Sequence, residues 1–175
     1  MDNITLKGAL IKSLEMEKAG FAFYMDTAKK TSNKGTAAIF KALAEDENRH
    51  IGAIKKYSDS ASKNLNLPEL SNAMPKHKDI KERVIFGKEF FRMLSSSVSG
   101  ADQLKAYEAA MTLETEGYNF YKKAYNSIGD KNVKDLYKFL MGEENTHHKL
   151  ISDTYEYLKN PQDLFFKNEK PIIEG

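Results

Sequence analysis

Apolar residues recur at every third or fourth position along four long stretches of the chain, and none of these stretches contains a proline. This spacing places apolar side chains on one face of a helix, so it predicts four long helices. The predicted helices cover residues 5–30, 35–60, 101–127 and 131–159. All four prolines lie between the second and third helices or beyond the fourth, where they would end a helix. The pattern therefore indicates an all-α fold.

The predicted helices pair into two hairpins, which divide a single domain spanning the whole chain into four segments. The segments are a hairpin at 5–60, a crossover at 61–100, a second hairpin at 101–159 and a tail at 160–175. A chain of 175 residues is long enough to bury one large core. Within the crossover, helical spacing over 79–94 predicts an extra helix, and His77 is expected to be exposed. In the tail, Phe165 and Phe166 are expected to dock on the bundle or on a second subunit.

The two hairpins resemble one another in sequence, because residue n matches residue n+97 without gaps. Ten of the 34 positions from 17 to 50 are identical to their counterparts, whereas composition alone would give roughly one match in 15 to 20. The identical pairs are Glu17/Glu114, Gly20/Gly117, Phe23/Phe120, Tyr24/Tyr121, Lys34/Lys131, Lys41/Lys138, Leu43/Leu140, Glu47/Glu144, Asn48/Asn145 and His50/His147. A four-helix bundle of two hairpins related by a pseudo-two-fold axis is therefore predicted.

Four glutamates interrupt the apolar faces of the predicted helices. Residues three, four or seven apart share a helical face, so Glu17 lies on the face of Leu10 and Tyr24, and Glu47 lies on the face of Leu43. The repeat places Glu114 and Glu144 in the same way. All four side chains are therefore predicted to point into the bundle.

The depth of these glutamates along the bundle follows from the positions of the turns. Two residues of an antiparallel hairpin lie at one level when they are equally far from the turn. The midpoint of Glu17 and Glu47 is residue 32, and the midpoint of Glu114 and Glu144 is residue 129; both fall in turn-forming sequence. Each glutamate then lies about 22 Å from its turn. The side chains predicted to meet at this level are Glu17, Glu47, His50, Glu114, Glu144 and His147.

A cluster of four buried carboxylates needs compensating charge, because an unpaired buried charge costs several kcal/mol or takes up a proton. No Lys or Arg occupies the inward-facing positions, whereas two divalent cations would balance four glutamates with both histidines neutral. Oxygen-rich ligation with one imidazole per ion suits iron or manganese, and zinc could also bind. The sequence therefore predicts a two-metal site, with two iron ions as the expected occupants.

Composition and charge exclude several other classes of function. The net charge is +2 and the lysines are scattered, so the chain has no basic block for nucleic acid, and nucleic acid is not an expected partner. No secretory leader and no membrane span are recognisable, so no membrane association and a cytoplasmic location are expected. The absence of cysteine excludes disulfides, thiolate metal sites and a built-in rubredoxin-type iron centre.

The residues around the six predicted ligands, at 17–24, 43–50, 114–121 and 140–147, resemble the rubrerythrin-like branch of the ferritin superfamily. This resemblance implies a ferritin-like di-iron site in which Glu47 and Glu144 bridge the ions and Glu17 and Glu114 are terminal ligands. Family members reduce hydrogen peroxide or react with oxygen, and others oxidise Fe(II) for storage. Two departures stand out. The chain lacks the Cys-ligated rubredoxin domain, and Gly117 replaces an additional glutamate that takes part in a redox-linked ligand switch.

The expected function is that of a non-haem di-iron oxidoreductase that reacts with hydrogen peroxide or oxygen and receives electrons from an external donor protein. A ferroxidase or iron-storage protein with Fe(II) as substrate is the alternative, and an oxygenase acting on an organic substrate is a third. A homodimer is expected. Tyr24 and Tyr121 lie on the faces of their glutamates, where each could hydrogen-bond a ligand carboxylate, donate an electron or serve as a core aromatic.

Several polar neighbours of the ligands are expected to lie away from the metals. His148 is rotated by about 100° from His147 along the helix, which directs it to solvent or to a neighbouring helix. The acidic neighbours of the ligands are predicted to be solvated; they are Glu45, Asp46, Glu116 and Glu143. A local distortion of the third long helix would make Glu116 an exception.

Overall fold

The computed structural model describes residues 5–74, 77–78, 80–84, 88–95 and 101–160, and these residues contain helices and no strand. The helices are α1 (Leu6–Lys30), α2 (Lys34–Ser62), α3 (Leu70–Ala73), α4 (Ile80–Arg83), α5 (Lys88–Ser95), α6 (Ala101–Ser127) and α7 (Lys131–Lys159). The four long helices end within two residues of their predicted bounds, so the all-α fold and the two hairpins are confirmed.

Side-chain caps set the start of three long helices. The side chain of Thr5 accepts a hydrogen bond from the backbone N–H of Gly8 at 3.1 Å and begins α1. Asn33 begins α2 and Asp130 begins α7, each by accepting the backbone N–H three residues ahead. These two caps are separated by the same 97 residues as the ligand pairs. Capping satisfies N–H groups that a helix leaves without a partner, so the turns form where the sequence predicts them.

The long helices pack as two antiparallel pairs, α1 on α2 and α6 on α7. Two apolar clusters fill the bundle, one toward each end. The first includes Tyr24, Phe40, Leu43, Tyr107 and Ile151. The second includes Leu10, Ile54, Tyr121, Leu136 and Leu140. The layer of the predicted ligands lies between the two clusters, which leaves it enclosed by apolar packing above and below.

The crossover packs mainly against α2, and its helix α3 also contacts α7. Helices α4 and α5 lie at the two ends of the helix predicted over 79–94, and residues 85–87 between them lie outside the described part. Asn33 donates a hydrogen bond from Nδ2 to the carbonyl of Leu94 at 2.7 Å, which ties α5 to the start of α2. Helix α3 was not predicted, and the ammonium of Lys56 donates to two carbonyl groups at its end.

Two further expectations concern the crossover and the tail. His77 is exposed, as predicted. The docking predicted for Phe165 and Phe166 falls at 161–175, which lies outside the described residues. Within the described part of the chain, no helix combines the length and the apolar character that crossing a membrane requires.

Gly35, at the start of α2, allows α5 to approach closely, and this contact yields a test. A Cβ added at Gly35 would lie 2.8 Å from Cδ2 of Leu94, whereas a Cβ added at Gly52 in the same helix meets nothing within 4 Å. Gly35→Ala should therefore lower the free energy of unfolding by about 1–3 kcal/mol through overpacking. Gly52→Ala should raise it by about 0.5–1 kcal/mol, because alanine favours a helix. Urea unfolding of both variants measures the difference, and equal effects would contradict the tight contact between α2 and α5.

Candidate metal centre

The four long helices bring the six predicted ligands into one layer of the bundle. Helix α1 supplies Glu17, α6 supplies Glu114, and α2 and α7 each supply a Glu-x-x-His pair. A residue three positions further along a helix lies on nearly the same face, which is why each histidine joins its glutamate. None of the six side chains is more than 5% exposed. The inward orientation deduced from the apolar faces is thus what the structure shows, while the role of these residues as ligands stays a prediction.

The six residues fall into two groups whose potential ligand atoms lie within 4.8 Å of one another. The first group is Glu17, Glu47 and His50, and the second is Glu47, Glu114, Glu144 and His147. In the first group, Nδ1 of His50 lies 3.1 Å from Oε2 of Glu17. In the second group, Nδ1 of His147 lies 3.5 Å from Oε1 of Glu47 and 3.5 Å from Oε2 of Glu114. Glu47 belongs to both groups, so its carboxylate lies between the two positions.

Two buried tyrosines connect the hairpins at this layer. The hydroxyl of Tyr121 in α6 donates to Oε1 of Glu17 in α1 at 2.6 Å. The hydroxyl of Tyr24 in α1 donates to Oε1 of Glu114 in α6. Each tyrosine is 1% exposed. The two bonds are related by the 97-residue repeat, and each fixes one oxygen of a candidate ligand on the opposite hairpin.

Asp46 and Glu143 contact the far sides of the imidazoles, which corrects the prediction that both are solvated. Nε2 of His147 lies 3.3 Å from Oδ2 of Asp46, and Nε2 of His50 lies 3.5 Å from Oε2 of Glu143. Asp46 is 1% exposed and Glu143 is half-buried. A carboxylate on Nε2 keeps a proton there, so Nδ1 faces the site and can bind a cation once it has given up its own proton. The repeat could have found this pair, because both residues are acidic and directly precede a ligand glutamate.

The other acidic neighbours of the ligands behave as predicted. Glu45 is exposed and pairs with Arg83, and Glu116 is exposed on α6. His148 is half-buried on α7 and belongs to neither group of candidate ligands.

An opening between α1 and α6 leads to the carboxylates. A cavity of about 350 Å³ reaches from the surface to the four glutamates, with Met16, Ala19 and Leu113 among its walls. Gly20 and Gly117 lie beside it, and a Cβ on either would press on a carboxylate. That Cβ would lie 3.4 Å from Cδ of Glu47 for Gly20, and 3.0 Å from Cδ of Glu144 for Gly117. The glycines leave room for the carboxylates, and the cavity gives small molecules access to them.

The clustered charges strongly shift the pKa values of Glu17, Glu47, Glu144, His50 and His147. Burial, followed by the charge of Glu47, raises the pKa of Glu17 to about 8. Burial and the charge of Glu114 raise the pKa of Glu144 well above its usual range. Burial opposes the charged form of Glu47, but hydrogen bonds from Glu17 and the two imidazoles outweigh burial and hold the pKa of Glu47 far below normal.

The imidazoles respond in the opposite sense to burial. Burial lowers the pKa of each histidine, yet the charge of Glu17 beside His50, and of Glu114 beside His147, raises both pKa values well above normal. The imidazoles thus carry the positive charge that balances the carboxylates when no cation is bound. Two cations would supply the same balance.

The residues of the site fit a pair of divalent cations. Oε2 of Glu114 and Nδ1 of His147 are buried atoms without a hydrogen-bond partner, and both point into the second group. Buried polar atoms are rarely left unpaired, so two orphaned atoms facing one another indicate a missing ligand. Four carboxylates with one imidazole for each position are the donor set that iron and manganese prefer.

These pKa shifts predict how the stability of the metal-free protein depends on pH. The pKa of Glu17 rises from 4.5 to about 8 on folding, and the pKa values of both histidines rise above 6.5. Between about pH 5 and 8.5 the folded state then binds more protons than the unfolded state, so stability is greatest near pH 5 and falls as pH rises across this window. The depressed pKa of Glu47 matters only below about pH 4.5, outside this window.

Thermal unfolding of the chelator-treated protein across this window measures the effect. The free energy of unfolding of the metal-free protein should fall by a few kcal/mol between pH 5 and 8.5. Protein loaded with Mn(II) serves as the control. Its stability should not fall with rising pH in this way, because bound cations hold the ligands deprotonated. A metal-free melting temperature that rises steadily from pH 5 to 8.5 would contradict the proposed charge balance.

The chain matches the family model described as Rubrerythrin over residues 9–155, which is 147 of its 175 residues and includes all six candidate ligands. No curated protein and no solved structure matches in the corresponding comparisons. The matched region contains the four long helices almost completely, and no rubredoxin domain is indicated. With its all-α bundle and its buried carboxylate and imidazole groups, the chain belongs to the rubrerythrin family of ferritin-like di-iron proteins.

Proposed function

We propose that this protein is a di-iron oxidoreductase that reduces hydrogen peroxide, or reacts with oxygen, using electrons from an external donor protein. The observation that carries the proposal is the pair of orphaned ligand atoms, Oε2 of Glu114 and Nδ1 of His147, within a buried set of four carboxylates and two imidazoles. The cavity between α1 and α6 supports it, because this cavity gives a small oxidant access to the carboxylate side of the site.

The two groups support a role for each residue. Glu17 and His50 would hold one ion, and Glu114, Glu144 and His147 would hold the other. Glu47 belongs to both groups, which supports the bridging role that the family resemblance implies for it. Glu144 belongs to one group, so its geometry supports a terminal position more than a bridge.

The remaining residues keep the ligands in place. Hydroxyl groups of Tyr24 and Tyr121 hold one oxygen of Glu114 and of Glu17, which leaves the second oxygen of each carboxylate for a cation. Asp46 and Glu143 orient the imidazoles from behind. With iron bound in its reduced form, the centre would supply the two electrons that, with two protons, convert hydrogen peroxide to two waters. The cavity offers both the peroxide and the protons a route from solvent.

A ferroxidase function is the competing proposal, and two acidic residues in the walls of the cavity favour it. Glu15 and Glu116 line the cavity, and carboxylates there could guide Fe(II) toward the site. Lys12 lines the same cavity and pairs with Glu15 at 3.5 Å, which offsets part of that attraction. Iron uptake separates the two functions, because a storage ferroxidase takes up far more than two ions per chain and assembles into a cage.

The proposal predicts a fast reaction with peroxide. Protein loaded anaerobically with two Fe(II) per chain, mixed with hydrogen peroxide in a stopped-flow instrument, should oxidise much faster than free Fe(II). Glu47→Gln removes the carboxylate shared by both groups and should slow oxidation by about 100-fold or more. Glu45→Gln changes an exposed carboxylate two residues away and should leave the rate unchanged. Oxidation no faster than that of free Fe(II) would overturn the proposal.

Iron content and assembly state are the second readout. The oxidoreductase proposal predicts that iron binding stops at two ions per chain and that light scattering detects a small oligomer, with a homodimer expected. Uptake of tens of ions per chain into a large assembly would instead support the storage function.

A further inference from the structure

We infer that the two metal positions are unequal and that divalent cations fill them in a fixed order. The hairpin-2 position, formed by Glu47, Glu114, Glu144 and His147, binds the first cation tightly. The hairpin-1 position, formed by Glu17, Glu47 and His50, binds the second more weakly. This inference rests on the metal centre of the proposed function and adds an order of loading to it.

The state of the ligand atoms differs between the positions. In the hairpin-2 position, Nδ1 of His147 and Oε2 of Glu114 lie 3.5 Å apart and neither has a hydrogen-bond partner. In the hairpin-1 position, Nδ1 of His50 already bonds to Oε2 of Glu17 at 3.1 Å. A cation at the hairpin-2 position replaces a loose 3.5 Å contact between the imidazole of His147 and Glu114, whereas a cation at the hairpin-1 position must displace the shorter 3.1 Å hydrogen bond between His50 and Glu17. The hairpin-2 position therefore gains more from the first cation.

The support behind each imidazole also differs. Asp46, which accepts from His147, is buried and paired with two guanidinium groups, those of Arg49 at 2.5 Å and of Arg83. The side chain of Glu143, which faces His50, is 27% exposed. Among the described residues, Glu143 has no Lys or Arg partner. Outer carboxylates set the orientation of a ligand imidazole, so His147 is held more rigidly than His50.

The carboxylates follow the same trend. The hairpin-2 position has four candidate ligands and the hairpin-1 position has three. Ligand number and imidazole orientation therefore both favour the hairpin-2 position.

A titration of the metal-free, full-length protein with Mn(II) tests this order. Electron paramagnetic resonance should show an isolated Mn(II) signal up to one equivalent and a coupled two-ion signal only as the second equivalent binds. His50→Ala should retain the first tight step and lose the second. His147→Ala should lose the tight step. A coupled signal from the first addition, or a tight first step that survives in His147→Ala, would overturn the inference.

A matched pair of outer-carboxylate variants tests the cause of the difference. Asp46→Asn should weaken the first step by about 10–100-fold, whereas Glu143→Gln should leave the first step unchanged and weaken only the second. If Asp46→Asn fails to fold by circular dichroism, Arg49→Gln takes its place and should weaken the first step in the same direction. Equal effects of both carboxylate variants on the first step would overturn the inference.

The outcomes separate this inference from the proposed function. Two bound ions that enter in one cooperative step would overturn the order of loading and leave the two-metal centre intact. No binding of Mn(II), Co(II) or Fe(II) at either position would overturn both proposals.

Discussion

Four carboxylates lie in one layer of the bundle between two apolar clusters, and each of these glutamates is at most 5% exposed. Burying an isolated charge costs several kcal/mol, so this layer is stable only with compensating positive charge. Two protonated imidazoles provide that charge when the site holds protons, and two divalent cations can replace them. The tyrosine hydroxyls, the outer carboxylates and the glycines all serve this one requirement, since each holds or makes room for a group in the layer.

Four polar contacts around this layer cross between the hairpins. Tyr24 and Tyr121 each donate to a glutamate of the other hairpin, and the outer acids contact the imidazoles in the same crossed way. Other polar contacts, such as the hydrogen bond between His50 and Glu17, lie within one hairpin, whereas these crossed bonds specify how one hairpin aligns with the other. The geometry of the site and the alignment of the two halves are therefore set by the same residues.

Much of the fold follows from the sequence because it depends on local rules. Apolar spacing defined the four long helices, and the caps Asn33 and Asp130 lie within one residue of the turn midpoints that the ligand spacing required. The six inward side chains followed from helical periodicity together with the repeat. Helix α3 escaped prediction because it is four residues long and depends on a tertiary contact from Lys56.

The outer part of the site was harder to predict. Asp46 is rotated by about 100° from Glu47, so a single helix considered alone directs it away from the bundle axis. It is buried because a second hairpin lies there, and that neighbour is not visible in local periodicity. The identity of Gly20 and Gly117 was apparent in the repeat. Their role is to leave room for the carboxylates of Glu47 and Glu144. That role depends on the distance between each glycine and a carboxylate on another helix, which only the three-dimensional packing defines.

The two hairpins belong to one chain, so their sequences can change independently while the crossed contacts between them are kept. Two identical hairpins brought together by a symmetry axis could form the same crossed bonds, but every residue on one side would then have an equal counterpart on the other. In a continuous chain, a substitution in one hairpin leaves the other untouched. Asp46 and Glu143 have diverged in length, burial and cationic partners while keeping the same contact to an imidazole. Covalent fusion thus permits a nearly symmetric bundle to hold two chemically distinct environments.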